Sequence, residues 1–435
     1  MTKRIAFFTD NADPLSPLGG HEAGGENVYI LEMSRALGRL GWTVDVFVRW
    51  SFRKTSQIAK VSETVRVIRI PAGPIKFIPK EELFPLMPKY IESFLAFKEK
   101  NNLDYLLIHG NYYNSAYAAV EAAAKLGIPT VNTFHTLGVV KQKALGSFDP
   151  SPADRIEHEK EVLNRLDRII ATSPQMKDDL VNLYAVPAKK IATIGEGVNL
   201  KRFYPIPTLI ARRVLRWPQN QHIILYIGRI ERRKGIDTLV SAIAQLLKKP
   251  GIERKNVWCI VSGGEPKSRW KKELPVVKAE RERLSKLAEK EGVADVVRFI
   301  GGVSPEELPY YYSGADVTCV PSYYEPFGLV PLESMACGTP VVASKVGGLQ
   351  YTIRDGKTGY LVPAHDATAF ADKLLFLLQH PQAKKMMREN GLERVAHSFT
   401  WEAVGEKMSA FYNDLLIDFL YKKAFKKPNG NGEGK

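Results

Sequence analysis

Short runs of apolar, often β-branched residues alternate along the chain with longer stretches of helical period. Residues 5–8, 44–48, 65–70, 105–108, 130–133, 168–171 and 191–194 have the length and composition of buried strands. Helical patterning fills several of the gaps, over residues 25–40, 81–100, 114–126 and 154–166. Strand followed by helix, repeated, predicts a parallel sheet covered on both faces.

The pattern then restarts. Strands are predicted over 223–227, 257–261, 296–299, 317–320, 341–343 and 360–362, with helices over 235–247, 278–291, 306–313, 328–337 and 368–378. The two sets join through Tyr204-Pro205-Ile206-Pro207 and on to Trp217-Pro218. The chain thus divides into a domain over 1–205, a second over 206–398, and a helical segment over 399–426 that packs back toward the first. The tail, 427–435, is too polar and glycine-rich to pack and is expected to be disordered. The fold class is α/β, with two doubly wound, Rossmann-like parallel-sheet domains facing a central cleft. Such sheets bind ligands at the carboxyl ends of their strands, where helix N-termini favour anions. A two-substrate reaction on something phosphorylated follows.

Composition narrows the setting. At 435 residues, 45% hydrophobic and 25% charged, the chain is globular and too long for one ordinary core. No apolar run approaches the roughly 18 residues of a membrane span, and Met1-Thr2-Lys3-Arg4-Ile5 enters a strand without the features of a signal peptide. Cys259, Cys319 and Cys337 have neither disulfide nor metal-ligand spacing. A cytoplasmic location is expected. The net charge of +15 would suit nucleic acid, anionic lipid or phosphorylated small molecules. Its lysines and arginines are dispersed, and no helix-turn-helix, zinc-finger or RNA-recognition signature accompanies them, so nucleic acid is not an expected partner. No oligomeric state follows from the pattern.

Three motifs carry chemistry. Gly19-Gly20 and then Gly24-Gly25-Glu26-Asn27 separate the first strand from its helix, where glycines let the backbone approach a ligand. A plain turn explains this motif as well, and the spacing is not that of a dinucleotide fingerprint. Arg229 and Lys234, after the first strand of the second domain, are two fixed cations suited to a diphosphate whose charge grows as it leaves. Arg232 and Arg233 between them read as solvated surface. Glu325 and Glu333 then stand either side of Pro326-Phe327-Gly328-Leu329-Val330-Pro331-Leu332. One carboxylate can sit near a sugar and the other can accept hydrogen bonds from ribose hydroxyls. The backbone amides of Phe327, Gly328 and Leu329, at a helix start, can meet phosphates.

Together, GGEN, GRIERRKG and EPFGLVPLESMACGTPVVAS resemble the signatures of glycosyltransferase family 4, retaining enzymes of the GT-B fold, over about residues 3–411. The resemblance implies that Arg229 and Lys234 hold the donor diphosphate and Glu333 the ribose. It places Glu325 and the Phe327–Leu329 amides at the donor sugar, Gly24 and Gly25 beside the phosphates, and His135 beside the reacting sugar. It makes the first domain the acceptor-binding one and the second the nucleotide-sugar-binding one. His135, Glu325, Arg229 and Lys234 would be the catalytic set, in a retaining reaction that needs no protein nucleophile. Neither a metal nor a cofactor is expected: no Asp-x-Asp ends a strand in the motifs, no pyridoxal-phosphate lysine is evident, and the nucleotide-sugar is a substrate.

Residues 77–83, His109-Gly110-Asn111-Tyr112 and Thr133-Phe134-His135-Thr136-Leu137-Gly138 are similar to the branch containing sucrose-phosphate synthases and the inositol-phosphate glycosyltransferases of mycothiol synthesis. In that branch a lysine, tyrosine, threonine and arginine hold the acceptor phosphate; the matching residues are Lys80, Tyr112, Thr136 and Arg155. Two cations and two hydroxyls can satisfy a dianion; solvated first-turn cations are the lesser alternative for Lys80 and Arg155. Asn111 stands where relatives commonly carry histidine, and His109 reads as a strand-end histidine satisfied by backbone. The leading expectation is UDP-glucose and fructose 6-phosphate giving sucrose 6-phosphate. GDP-mannose with the same acceptor, and UDP-N-acetylglucosamine with inositol phosphate, are alternatives. A peripheral membrane lipid glycosyltransferase is the competing class, disfavoured because Glu81, Glu82, Glu92, Pro85 and Pro88 spoil the segment that would lie on lipid.

Overall fold

β1 (Lys3–Thr9) is apolar from Ile5 to Phe8 because both of its faces are covered there. Ile5 and Phe7 pack with Tyr29, Met33 and Trp401, whereas Ala6 and Phe8 pack with Phe47, Tyr90 and Phe94 on the other side. That period of two, with helices above and below, is the signature of a doubly wound sheet. The computed structural model describes residues 3–16, 24–149, 151–268 and 273–425. Gly19-Gly20 and the tail over 427–435 lie outside the described residues.

The first sheet adds β2 (Trp42–Arg49), β3 (Ile58–Lys60), β4 (Val65–Ile70), β5 (Ile108–Asn111), β6 (Thr130–Thr133), β7 (Arg168–Ala171) and β8 (Ile191–Thr193). Its order is β3-β4-β2-β1-β5-β6-β7-β8, parallel except for β3 against β4. That short antiparallel edge strand is absent from the sequence reading: its exposed, polar setting lacks a hydrophobic pattern. The second sheet contains β9 (His222–Ile227), β10 (Val257–Ser262), β11 (Val297–Phe299), β12 (Val317–Val320), β13 (Val341–Ser344) and β14 (Gly359–Val362), in the order β11-β10-β9-β12-β13-β14. Every pairing in it is parallel. The strand order reverses at β1 in one sheet and at β9 in the other, which is where doubly wound sheets open a crevice.

Three sequence expectations need correction. The strand predicted over 105–108 lies at Ile108–Asn111, because His109 and Asn111 are buried and hydrogen-bonded rather than solvated. His109 is satisfied by side chains, Tyr412 and Thr133, not by backbone. The helix predicted over 81–100 is two three-residue 3-10 turns, Lys80–Glu82 and Phe84–Leu86, followed by the helix Met87–Lys100. Pro85 and Pro88, which lack the amide that a helix interior needs, set those breaks. The helix Gly138–Leu145 was hidden among mixed polar residues with little amphipathic contrast.

The last helix, Trp401–Phe425, returns to the first sheet. Gly405 lies so close to Ala36 that an added Cβ would stand 2.7 Å from the alanine Cβ. Trp42 Nε1 donates to Ser409 at 2.9 Å, and Tyr412 meets His109 in the sheet interior. Among the described residues no helix is long and apolar enough to cross a membrane.

Candidate active site

The polar groups gather where strand carboxyl ends face one another. After β9, Gly228 leads into Arg229, whose carbonyl accepts from Tyr226 OH at 2.9 Å and whose guanidinium pairs with Glu231 at 2.9 Å. Lys234 closes the 3-10 turn Arg232–Lys234, and the helix itself begins at Ile236. Gly235 makes the link at φ +64°, and a Cβ there would collide with the Pro321 carbonyl. This junction holds the Lys234 turn against the loop that follows β12.

That loop carries Glu325, whose carboxylate accepts from Lys234 at 2.6 Å and from Ser322 at 3.2 Å. Burial works against the charged carboxylate, yet Lys234 and Arg233 hold its pKa below the ordinary value. The same burial pulls Lys234 down, with Glu325 opposing. Arg233 is no solvated surface residue: it donates to Glu231 at 2.7 Å and to the Tyr324 carbonyl at 3.4 Å. Gly328, at φ +104°, turns the chain into the helix Leu329–Ala336. The Phe327 ring is buried in the core, which leaves its backbone rather than its side chain for contact with a ligand. Glu333, on that helix, accepts from Tyr312 OH at 2.7 Å, and burial pushes its carboxyl up to about 7.

The facing half contributes Gly24 and Gly25 at the start of the helix Gly25–Arg39. A Cβ on Gly25 would stand 3.3 Å from the Leu329 side chain, so the two halves meet there across the cleft. His135, beyond β6, faces Asn111 Oδ1 at 3.2 Å through Nε2 and Glu196 at 3.9 Å through Nδ1. Asn111 donates its amide to the Phe8 carbonyl at 3.3 Å, which orients its oxygen toward the imidazole and favours the tautomer protonated at Nε2. The sequence reading did not single out Glu196. It is buried, its carboxyl pKa is raised by burial, and only the flanking Gly195 and Gly197 mark it in the sequence.

Lys80, Tyr112, Thr136 and Arg155 lie together. Arg155 is 1% exposed, which excludes the solvated-cation reading. Its guanidinium donates to Tyr112 OH at 3.2 Å, to the Thr136 hydroxyl at 2.9 Å and carbonyl at 3.1 Å, to Ser151 at 3.0 Å and to Glu159 at 2.8 Å. Both hydroxyl oxygens therefore accept, leaving their protons to donate outward. Lys80 Nζ lies 5.4 Å from the centre of the Tyr112 ring. Tyr112 itself sits at φ +72°, a conformation costing about 1–3 kcal/mol that surrounding contacts must impose. Beneath the cradle, Asp10 accepts from Ser115 at 2.6 Å and Asn114 at 2.9 Å, and Asn114 also donates to the Lys80 carbonyl at 3.2 Å. Asp10 and Glu159 are supporting acids without a motif of their own. Among the described residues no cluster of His, Cys, Asp and Glu could hold a metal ion.

Two facing α/β halves built on parallel sheets, with cationic and polar side chains at both sets of strand ends, have the architecture of a GT-B glycosyltransferase. Residues 23–202 match the model for glycosyltransferase family 4, and residues 209–394 match that for group 1 glycosyl transferases. The chain is 35% identical to D-inositol 3-phosphate glycosyltransferase 2 of Catenulispora acidiphila, over 96% of each chain. It is 34% identical to the D-inositol 3-phosphate glycosyltransferase of Corynebacterium diphtheriae, again over 96% of each. The sucrose-phosphate synthase structure from Thermosynechococcus elongatus superposes with a TM-score of 0.85 at 38% identity, covering 96% of this chain and 100% of that one. The chain belongs to glycosyltransferase family 4.

Proposed function

We propose that the protein transfers a hexose, with retention of configuration, from a nucleoside-diphosphate sugar to a small phosphorylated acceptor. The observation that carries this reading is the cradle of Lys80, Tyr112, Thr136 and buried Arg155, which offers two positive charges and two outward hydroxyl donors. UDP-glucose and fructose 6-phosphate, giving sucrose 6-phosphate, are the leading pair, supported by the 38% identity to a sucrose-phosphate synthase. Transfer to an inositol phosphate is the second reading, supported by the inositol 3-phosphate glycosyltransferases at 34–35% identity.

In this mechanism Arg229 and Lys234 take the donor diphosphate, and Glu333 takes the ribose hydroxyls. Glu325, the amides of Phe327, Gly328 and Leu329, and the backbone at Gly24 and Gly25 hold the sugar and its phosphates. His135 flanks the reacting carbon. The bond from the anomeric carbon to the diphosphate breaks as the acceptor hydroxyl oxygen bonds to that carbon on the same face. The acceptor's proton passes to the departing diphosphate, so the protein supplies position and charge stabilisation rather than a nucleophile. Product NMR tests this: the new glycosidic bond keeps the anomeric configuration of the donor, and an inverted product would contradict the mechanism.

A further inference from the structure

Tyr324 lies on the donor-side loop, next to Glu325, yet its hydroxyl reaches the other half of the molecule. It accepts from the Leu137 amide at 3.2 Å, one residue beyond Thr136. The side chain is buried, and its backbone carbonyl is tethered by Arg233. Arg155 and the Tyr324 phenol are close enough to influence each other electrostatically.

The hydrogen-bond pattern repeats that of the cradle. Tyr112 OH and the Thr136 hydroxyl each accept an N–H from Arg155, and Tyr324 OH accepts the N–H of Leu137. Among the described residues none of these three hydroxyl protons meets an acceptor. A hydroxyl whose oxygen is already occupied by a donor presents its proton, and an anion is the natural partner for three such protons beside two cations.

We propose that Tyr324 supplies a third hydroxyl donor to the anion held by Lys80, Tyr112, Thr136 and Arg155, so that the donor-side loop completes the acceptor-phosphate site. This rests on the phosphorylated-acceptor reading above. Its consequence is that the residue before Glu325 senses whether the acceptor site is filled. Burial keeps the Tyr324 phenol protonated through the neutral range, as a donor must be.

The test uses the full chain with its donor site saturated by UDP, or by GDP in parallel, so that added inorganic phosphate reports on the cradle. Phosphate affinity is then measured by calorimetric titration for wild type, Tyr324→Phe, Thr136→Val and Lys80→Ala. Phenylalanine keeps the buried ring, and thermal melting confirms that the fold is retained. One lost hydrogen bond to an anion weakens phosphate about 10-fold in Tyr324→Phe, with UDP affinity changed less than about twofold. A tyrosine that merely braces its loop gives the reverse, weaker UDP and unchanged phosphate, and overturns the proposal. If Thr136→Val and Lys80→Ala weaken phosphate while Tyr324→Phe does not, the Tyr324 assignment alone falls. If none of the three variants changes phosphate binding, the cradle itself is misassigned and both readings fall.

Discussion

Lys234 and Glu325 form an ion pair at 2.6 Å between the turn after β9 and the loop after β12. Both side chains are largely buried, so the pair joins the two segments that bear the most distinctive motifs of the second domain. In the proposed mechanism, a nucleoside diphosphate bound beside Lys234 would compete with Glu325 for the same ammonium group.

That competition separates the two residues in function. Lys234→Met should weaken UDP binding about 10- to 100-fold, the loss of a charge-assisted contact. Glu325→Gln leaves the lysine free for phosphate, so UDP affinity should change less than about threefold while turnover falls at least about 100-fold. Calorimetry with UDP and steady-state kinetics on the same two variants check the split. Equal losses of UDP affinity in both would remove the proposed division of roles.

The acceptor cradle predicts a different kinetic signature. Lys80→Ala and Thr136→Val should raise the apparent KM for the phosphorylated acceptor about 10-fold or more, and that for the donor less than about twofold. Arg155→Ala is a harsher change, because it deprives Glu159 and four carbonyl or hydroxyl acceptors on Tyr112, Thr136 and Ser151 of their donor. It should cost about 3–5 kcal/mol of stability in urea unfolding. Comparable donor and acceptor effects in the two milder variants would contradict the assignment.

Glu333 should make nucleotide binding pH-dependent. Burial pushes its carboxyl up to about 7, while its proposed role with ribose needs the ionised form. UDP affinity should therefore fall as the pH drops from 8 to 6, and Glu333→Gln should bind more weakly but with a shallower profile, the remainder coming from protonation of UDP's terminal phosphate. The sign for folding is opposite. A carboxyl with a raised folded pKa contributes stability below about 4.5 that is lost as the pH climbs through about 7. Glu333→Gln should thus gain on the order of 1 kcal/mol over wild type at pH 8, allowing for solvent at the half-buried group, with the gain shrinking toward pH 5.

His109 should be a source of acid lability. Burial lowers its pKa to about 3 from an ordinary 6.5, so its contribution is present above 6.5 and is lost as the pH falls toward 3. Between pH 7.5 and 5, wild type should lose about 2 kcal/mol more than His109→Gln in urea melts. Parallel losses in the two proteins would mean that the imidazole is not kept neutral by the fold.

How legible all this was in the sequence depended on whether a residue announced itself by place. Arg229, Lys234 and Glu325 follow strands whose apolar runs are plain, so their position at the strand ends could be read in advance, whereas Tyr112 and Thr136 were reached only through the family resemblance. The strand Ile108–Asn111 could not, because its register rests on buried His109 and Asn111, polar side chains that hydropathy assigns to a loop. Arg233 sits in a run of cations that looks solvated, and only the folded loop brings Glu231 and the Tyr324 carbonyl to it. Glu159 and Glu196 are single acids in ordinary contexts; what distinguishes them is the Arg155 or His135 placed against them by distant strands. Pairings over long sequence separations leave no local pattern.

The most direct test of the central claim is nucleotide release across a small matrix of substrates. UDP-glucose, GDP-mannose and UDP-N-acetylglucosamine are each supplied with fructose 6-phosphate, inositol phosphate, free fructose or no acceptor. Release that requires a phosphorylated acceptor, and that falls in Thr136→Val, is the predicted result. Release that is equally fast without any phosphorylated acceptor, or that appears only when lipid is added, would contradict it.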